Sequence, residues 1–118
     1  MAKQFKLSRE DIRPLATGHG GCIATDMITV EGLPVRFMYR EPYDPRRKED
    51  SGWRFMSGYE SDEYMDNPDN HDVYDVNTIA NYDPSIIPLL DSPAGSAFEK
   101  PEGNDQFVPA EDWNPPEE

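Results

Sequence analysis

Between Leu33 and Arg40 the chain alternates, with Leu33, Val35, Phe37 and Tyr39 separated by Pro34, Arg36, Met38 and Arg40. A period of two marks a half-buried strand. Pro34 cannot donate to a ladder, so it belongs at the strand start or on a sheet edge. The run before it, "CIATDMITV", is rich in β-branched residues and reads as another strand; with "EG" at 31–32 as the link, the two predict a β-hairpin. "GWRFMS" and "HDVYDV" continue the series as short strands, and a last one falls at Ser96–Glu99. Trp53 and Phe55, at i and i+2, share one strand face and are assigned to the core.

Helical signals are short. Ser8 stands before acids as an N-cap, but Pro14 limits that helix to a turn or two. Ser61 caps a single turn in "SDEYMDNP", which Pro68 stops. Further on, Ile79, Ile86, Ile87, Leu89 and Leu90 are divided by Pro84, Pro88 and Pro93, a pattern of single turns packed on a sheet. The segment "EPYDPRRKED" has little to bury and is read as a surface loop carrying the basic cluster Arg46, Arg47 and Lys48. The expected fold is therefore α+β: a small antiparallel sheet with short helices and turns packed on it. At 118 residues the chain has room for one modest core. We place that domain at residues 1–99 and an acidic, Pro-rich tail at 100–118, either disordered or laid along the body through Phe107 and Trp113.

Charge narrows the partners. With 24 acidic and 11 basic side chains the formal net charge is -13, which repels phosphate backbones and anionic membrane surfaces and draws in cations. Neither a nucleic acid nor a membrane is expected as partner. "MAKQFKLSRE" lacks the apolar run of a signal peptide, and no stretch approaches the roughly 18 apolar residues of a membrane span. The single cysteine, Cys22, excludes an internal disulfide and fits a reducing compartment. A cytoplasmic location is predicted.

Candidate chemistry centres on "DSGWRFMSGYESDEYMDNPDN", where aromatics and carboxylates crowd together. From Tyr59 to Asp75 there are seven acids, Glu60, Asp62, Glu63, Asp66, Asp69, Asp72 and Asp75, and no Lys or Arg. A calcium loop counted from Asp66 would need an oxygen ligand at its third place and glycine at its sixth; Pro68 and His71 stand there instead. His19 and His71 lack the spacing of a transition-metal pair. No metal or other cofactor is predicted. Cys22 has His19 three residues away, but a buried or half-buried small-residue role is the commoner one for such a cysteine. "GHGG" is like an esterase oxyanion loop without any GxSxG elbow to serve it, and a glycosidase-type carboxylate pair can be picked from any 24 acids. No catalytic residue is assigned and no enzyme is predicted. Recognition is the reading that remains, since rigid aromatics rimmed by charge are the material of interface hot spots. The predicted partner-binding residues are Tyr59, Glu60, Asp62, Glu63, Tyr64, Asp66, Asp69 and Asp72.

Three stretches, "GCIATDMITVEGLPVRFMYREP", "DSGWRFMSGYESDEYMDNPDN" and "YDVNTIANYDPSIIPLLDSPAGSAFE", resemble the immunity-protein-33 group, bacterial domains of unknown function grouped with immunity proteins of polymorphic toxin systems. The resemblance covers about residues 21–99, and its most specific elements are Gly-Trp-Arg-Phe at 52–55 and Asn-Tyr-Asp-Pro at 81–84. It implies a cytoplasmic α+β domain that binds and neutralises a protein toxin, with no catalytic residues to carry over; the acidic-aromatic surface adds the expectation that the toxin presents a cationic surface to it. The basic "DPRRKED" loop departs from a family usually acidic there. The alternatives are a stand-alone adaptor or regulatory domain and a small hydrolase.

Overall fold

The computed structural model describes residues 5–42, 45–46, 49–101 and 103–110. Arg47, Lys48 and Trp113, singled out above, lie outside these. Six strands form one sheet: β1 (Gly21–Thr25), β2 (Phe37–Arg40), β3 (Asp50–Met56), β4 (His71–Asp75), β5 (Ala97–Glu99) and β6 (Val108–Pro109). Their spatial order is β4-β1-β3-β2-β5-β6. Between them lie α1 (Asp26–Thr29), α2 (Asp62–Asp66) and α3 (Val76–Tyr82), with 3-10 turns at Arg9–Asp11, Pro68–Asn70 and Pro84–Leu89. The α+β class holds. The sheet, however, is mixed: β1 runs parallel to β3 while the other four ladders are antiparallel.

The hairpin expected over 22–40 is not formed, because its first half is only partly strand. The chain leaves β1 at Thr25 and turns at once into α1, which buries Ile28 and Thr29. The Glu31–Gly32 pair is a helix stop and not a hairpin turn. Gly32 adopts φ 78°, its N–H donates to the Ile28 carbonyl at 3.0 Å, and the Leu33 N–H donates to the Met27 carbonyl at 2.9 Å. That closure satisfies the carbonyls a helix end leaves open and favours glycine at the left-handed position. The β-branched run therefore changes element midway, and β2 pairs with β3 and β5 instead of with β1. Within β2 the deeply buried residue is Met38, and Phe37 and Tyr39 point to the opposite face.

One face of the sheet is covered by α1, α3 and the Pro84–Leu89 turn. Cys22, Ala24, Met38, Trp53 and Phe55 meet Ile28, Val76, Ile79, Ile86 and Leu90 there, all of them 1 % exposed or less. The Trp53 and Phe55 rings lie 6.2 Å apart and nearly parallel, and the indole N–H donates to the Leu90 carbonyl at 3.1 Å, so the one polar atom of the tryptophan is satisfied. The expected core placement of both residues is observed.

The other face carries a buried cation that the sequence pattern does not announce. Arg54, flanked by Trp53 and Phe55, is 6 % exposed and turns its guanidinium away from them. Glu41 Oε2 accepts from Nε at 3.0 Å and Nη2 at 2.7 Å; Asp50 Oδ1 and Oδ2 accept from Nη1 and Nη2 at 3.0 and 2.8 Å. A charge of this depth is tolerated because two carboxylates hold its fork.

Beyond β5, the Lys100 ammonium is buried against Asp83 at 2.7 Å and lies 4.8 Å from the centroid of the Phe107 ring. Phe107 packs on the core, and β6 then pairs with β5.

Candidate functional site

The acidic-aromatic segment begins where β3 ends. Gly58 adopts φ 92° and reverses the chain. The Glu60 carboxylate then fastens the turn: Oε2 accepts from the Ser57 N–H at 2.8 Å and from the Thr25 hydroxyl, and Oε1 accepts from the Gly58 N–H at 2.9 Å. Burial pushes the Glu60 carboxyl up, but the bonds from Thr25 and Ser57 outweigh it and hold the group below the usual carboxylate range. Ser57, itself buried, accepts from the Tyr59 N–H at 3.2 Å. With the backbone pinned on both sides, the Tyr59 side chain is thrust outward and is 68 % exposed.

Next comes α2, a helix that buries no residue of its own. Local bonds hold its ends. Ser61 Oγ accepts from the Tyr64 N–H at 3.0 Å, as the sequence predicts, and the Asn70 side-chain amide donates to the Tyr64 carbonyl at 3.0 Å. Asp62 and Glu63 sit exposed in the first turn, where the helix dipole favours them, and Asp66 is exposed at the end. Tyr64, one of the predicted contact residues, is half-buried. Burial, then the charges of Asp26, Glu31 and Glu60, push its hydroxyl above the ordinary tyrosine range.

The rest of the segment leads to the sheet edge. Asp69 is exposed on the 3-10 turn Pro68–Asn70, whose N-cap Asn67 accepts from the Asp69 N–H at 3.0 Å. Asp72 is exposed on β4, opposite Ala24 of β1, and Asp75 caps α3 by accepting from the Asn77 N–H at 2.8 Å. The predicted site residues therefore form two groups. Tyr59, Asp62, Glu63 and Asp66 are displayed around a locked turn and a one-turn helix, and Asp69 and Asp72 follow at the edge strand. Glu60 holds the first group in place.

Sequence reasoning missed Asp26 and Glu31, which join the acids around Tyr64, because it placed them in a strand and a hairpin turn. It also missed Val73, 68 % exposed on the edge strand. The signal for Val73 was available: an apolar residue between Asp72 and Tyr74 in a strand that acids flank at both ends.

The other candidate chemistry is not assembled. Cys22 is buried at 1 % exposure, and burial pushes its thiol far up, so the thiolate a nucleophile requires is suppressed. Among the described residues no three His, Cys, Asp or Glu side chains converge so as to hold a metal ion. Among them, too, no helix is long and apolar enough to cross a membrane.

The chain is thus an α+β domain with exposed acids and Tyr59 on one segment and a buried cysteine. Residues 22–111 match the immunity protein Imm33 domain, and the chain belongs to that family. Membership gives it an immunity-type role and implies a toxin as its partner. No curated protein and no solved structure matches the chain.

Proposed function

We propose that this domain neutralises a protein toxin in the bacterial cytoplasm by covering a cationic site on it, and that it does so by binding alone, without catalysis. The contact region is the surface of Tyr59, Glu60, Asp62, Glu63, Tyr64, Asp66, Asp69 and Asp72. The observation that carries this reading is Tyr59, held 68 % exposed by a turn that Glu60 and Ser57 lock, at the head of a run of exposed carboxylates. An aromatic fixed before encounter loses little conformational freedom on binding, and the acids around it steer a cationic partner inward. Glu60 contributes as the fastener and Tyr64 as the half-buried floor between Asp26 and Glu31.

The test begins with the domain immobilised in extract of its native host, the captured toxin identified, and its activity assayed with and without the domain. Surface plasmon resonance at two salt concentrations then separates the two contributions. Replacing Asp62, Glu63 and Asp66 by their amides should lower the association rate and its salt dependence. Tyr59→Ala should raise the dissociation rate about tenfold or more, the effect of a hot spot of about 1.4 kcal/mol. Association of the triple amide variant at the wild-type rate in low salt would show that the acids serve solubility and that the interface is elsewhere.

A further inference from the structure

Among the described residues β4 is an end strand of the sheet, with no strand paired to its outer side. In an antiparallel strand the N–H and C=O of one residue point the same way and those of the next point oppositely. The Val76 N–H donates to the Gly20 carbonyl at 2.9 Å, so by the period of two Asp72 and Tyr74 face β1, while His71, Val73 and Asp75 turn their backbone groups to the open edge. The Val73 N–H agrees with this: its acceptor is the neighbouring side chain, Asp72 Oδ1, at 2.8 Å. The Val73 side chain is 68 % exposed and stands beside Ile23 on the sheet face turned away from α1 and α3.

Such an edge is a template for an added strand. Natural edges are commonly blunted by lysine, proline or a bulge; β4 contains neither residue and pairs with β1 in unbroken register from His71 to Asp75. Its charges are acidic. Two copies of this chain joined along β4 would bring Asp69, Asp72 and Asp75 of each against those of the other and set two net charges of -13 together, which like-charge repulsion opposes. A basic strand meets no such barrier.

We propose that the open edge of β4 is extended by a strand of the partner toxin that alternates apolar side chains with Lys or Arg. This rests on the reading of the domain as a toxin-binding protein and specifies which kind of toxin segment it holds. The added strand's apolar side chains lie beside Val73 on one face. Its basic side chains lie beside Asp72 on the other.

The test uses the whole chain and a fluorescent peptide of about ten residues alternating valine and lysine. Anisotropy should show binding that weakens as salt is raised. Val73→Pro removes an outward N–H and no ladder bond to β1, so it should leave the melting temperature close to wild type and weaken the peptide at least tenfold. The same peptide N-methylated on alternate backbone amides should weaken to the same degree on the unaltered chain, a control that needs no variant to fold. Amide exchange of Val73 and Asp75 should slow at least tenfold in the complex. Binding of the N-methylated peptide within twofold of the unmodified one would reduce the interaction to charge attraction and overturn the proposal. So would no binding at millimolar peptide in low salt. Failure to neutralise the toxin, with peptide binding intact, overturns the toxin reading alone; neutralisation by V73P at wild-type strength overturns strand addition alone.

Discussion

Asp83 ties together three segments distant in sequence, and its loss of charge should be the costliest conservative change in the fold. Its Oδ2 accepts from the Lys100 ammonium at 2.7 Å and from the Val35 N–H at 3.0 Å; its Oδ1 accepts from the Ser85 N–H at 3.1 Å and the Ser85 hydroxyl at 2.6 Å. The two side chains of the ion pair are 10 % and 6 % exposed. Asp83→Asn keeps an acceptor for the neutral donors but strands the ammonium, and leaving one partner of a buried pair uncompensated costs about 3–5 kcal/mol. We take about 3 kcal/mol, because the ammonium retains the face of Phe107. Lys100→Met should cost less, about 1–2 kcal/mol, since the carboxylate keeps its bonds from Val35 and Ser85. The double variant D83N/K100M should then be more stable than D83N alone, the stranded charge being gone. Urea unfolding at pH 7, followed by the fluorescence of buried Trp53, measures all three. Burial pushes the Asp83 carboxyl up, but the bonds from Lys100 and Ser85 outweigh it and hold the group below its ordinary 3.8. A carboxyl with a depressed folded pKa contributes its stability fully above the unfolded value and loses it as pH falls through the folded value. The gap between wild type and D83N should therefore be steady from about pH 7 to 5 and close below about pH 4. A D83N variant within 1 kcal/mol of wild type, or a double variant whose cost is the sum of the two singles, would refute this account.

Glu60→Ala removes the acceptor for Thr25, Ser57 and Gly58 and should cost about 1–3 kcal/mol in urea unfolding, a difference that shrinks as pH drops below the ordinary carboxylate value of 4.5. Gly52 adopts φ 89°, and a Cβ there would stand 2.6 Å from the Glu41 carbonyl oxygen. Gly52→Ala should thus lower stability by about 2 kcal/mol or more, read as a fall in melting temperature, whereas Gly95→Ala, also at positive φ but meeting nothing within 4 Å, should cost only the backbone strain. Cys22 should be inert to a thiol reagent such as DTNB at pH 8 in the native protein and react at once in urea; fast native labelling would contradict its burial.

Several elements were written locally and could be read from the chain. Ser61 caps α2 because a serine oxygen reaches the N–H three residues on, and that geometry needs no distant partner. The strands at Asp50–Met56 and His71–Asp75 and the proline-divided turn at Pro84–Leu89 arise from alternation and backbone restriction in the same way. So does the burial of Trp53 and Phe55, because a strand with two large aromatics on one face must turn that face inward. The family was legible too, and the match over residues 22–111 agrees with it. What the chain alone did not determine were the choices that depend on neighbours. "DMIT" is as acceptable in a strand as in a helix, and only the closure at Gly32 and the burial of Ile28 selected the helix. With that choice the predicted hairpin dissolved and β1 came to lie parallel to β3. Tyr59 and Tyr64 look alike in sequence, yet the turn pinned by Glu60 displays one while α1 partly covers the other. Nothing in the sequence marks Arg54 and Lys100 for burial; the fold supplies Glu41 and Asp50 to the one and Asp83 at the end of α3 to the other. For Arg54 and Lys100 the deciding partners, Glu41 and Asp83, come from other elements of the chain, so no short window along the sequence contains them.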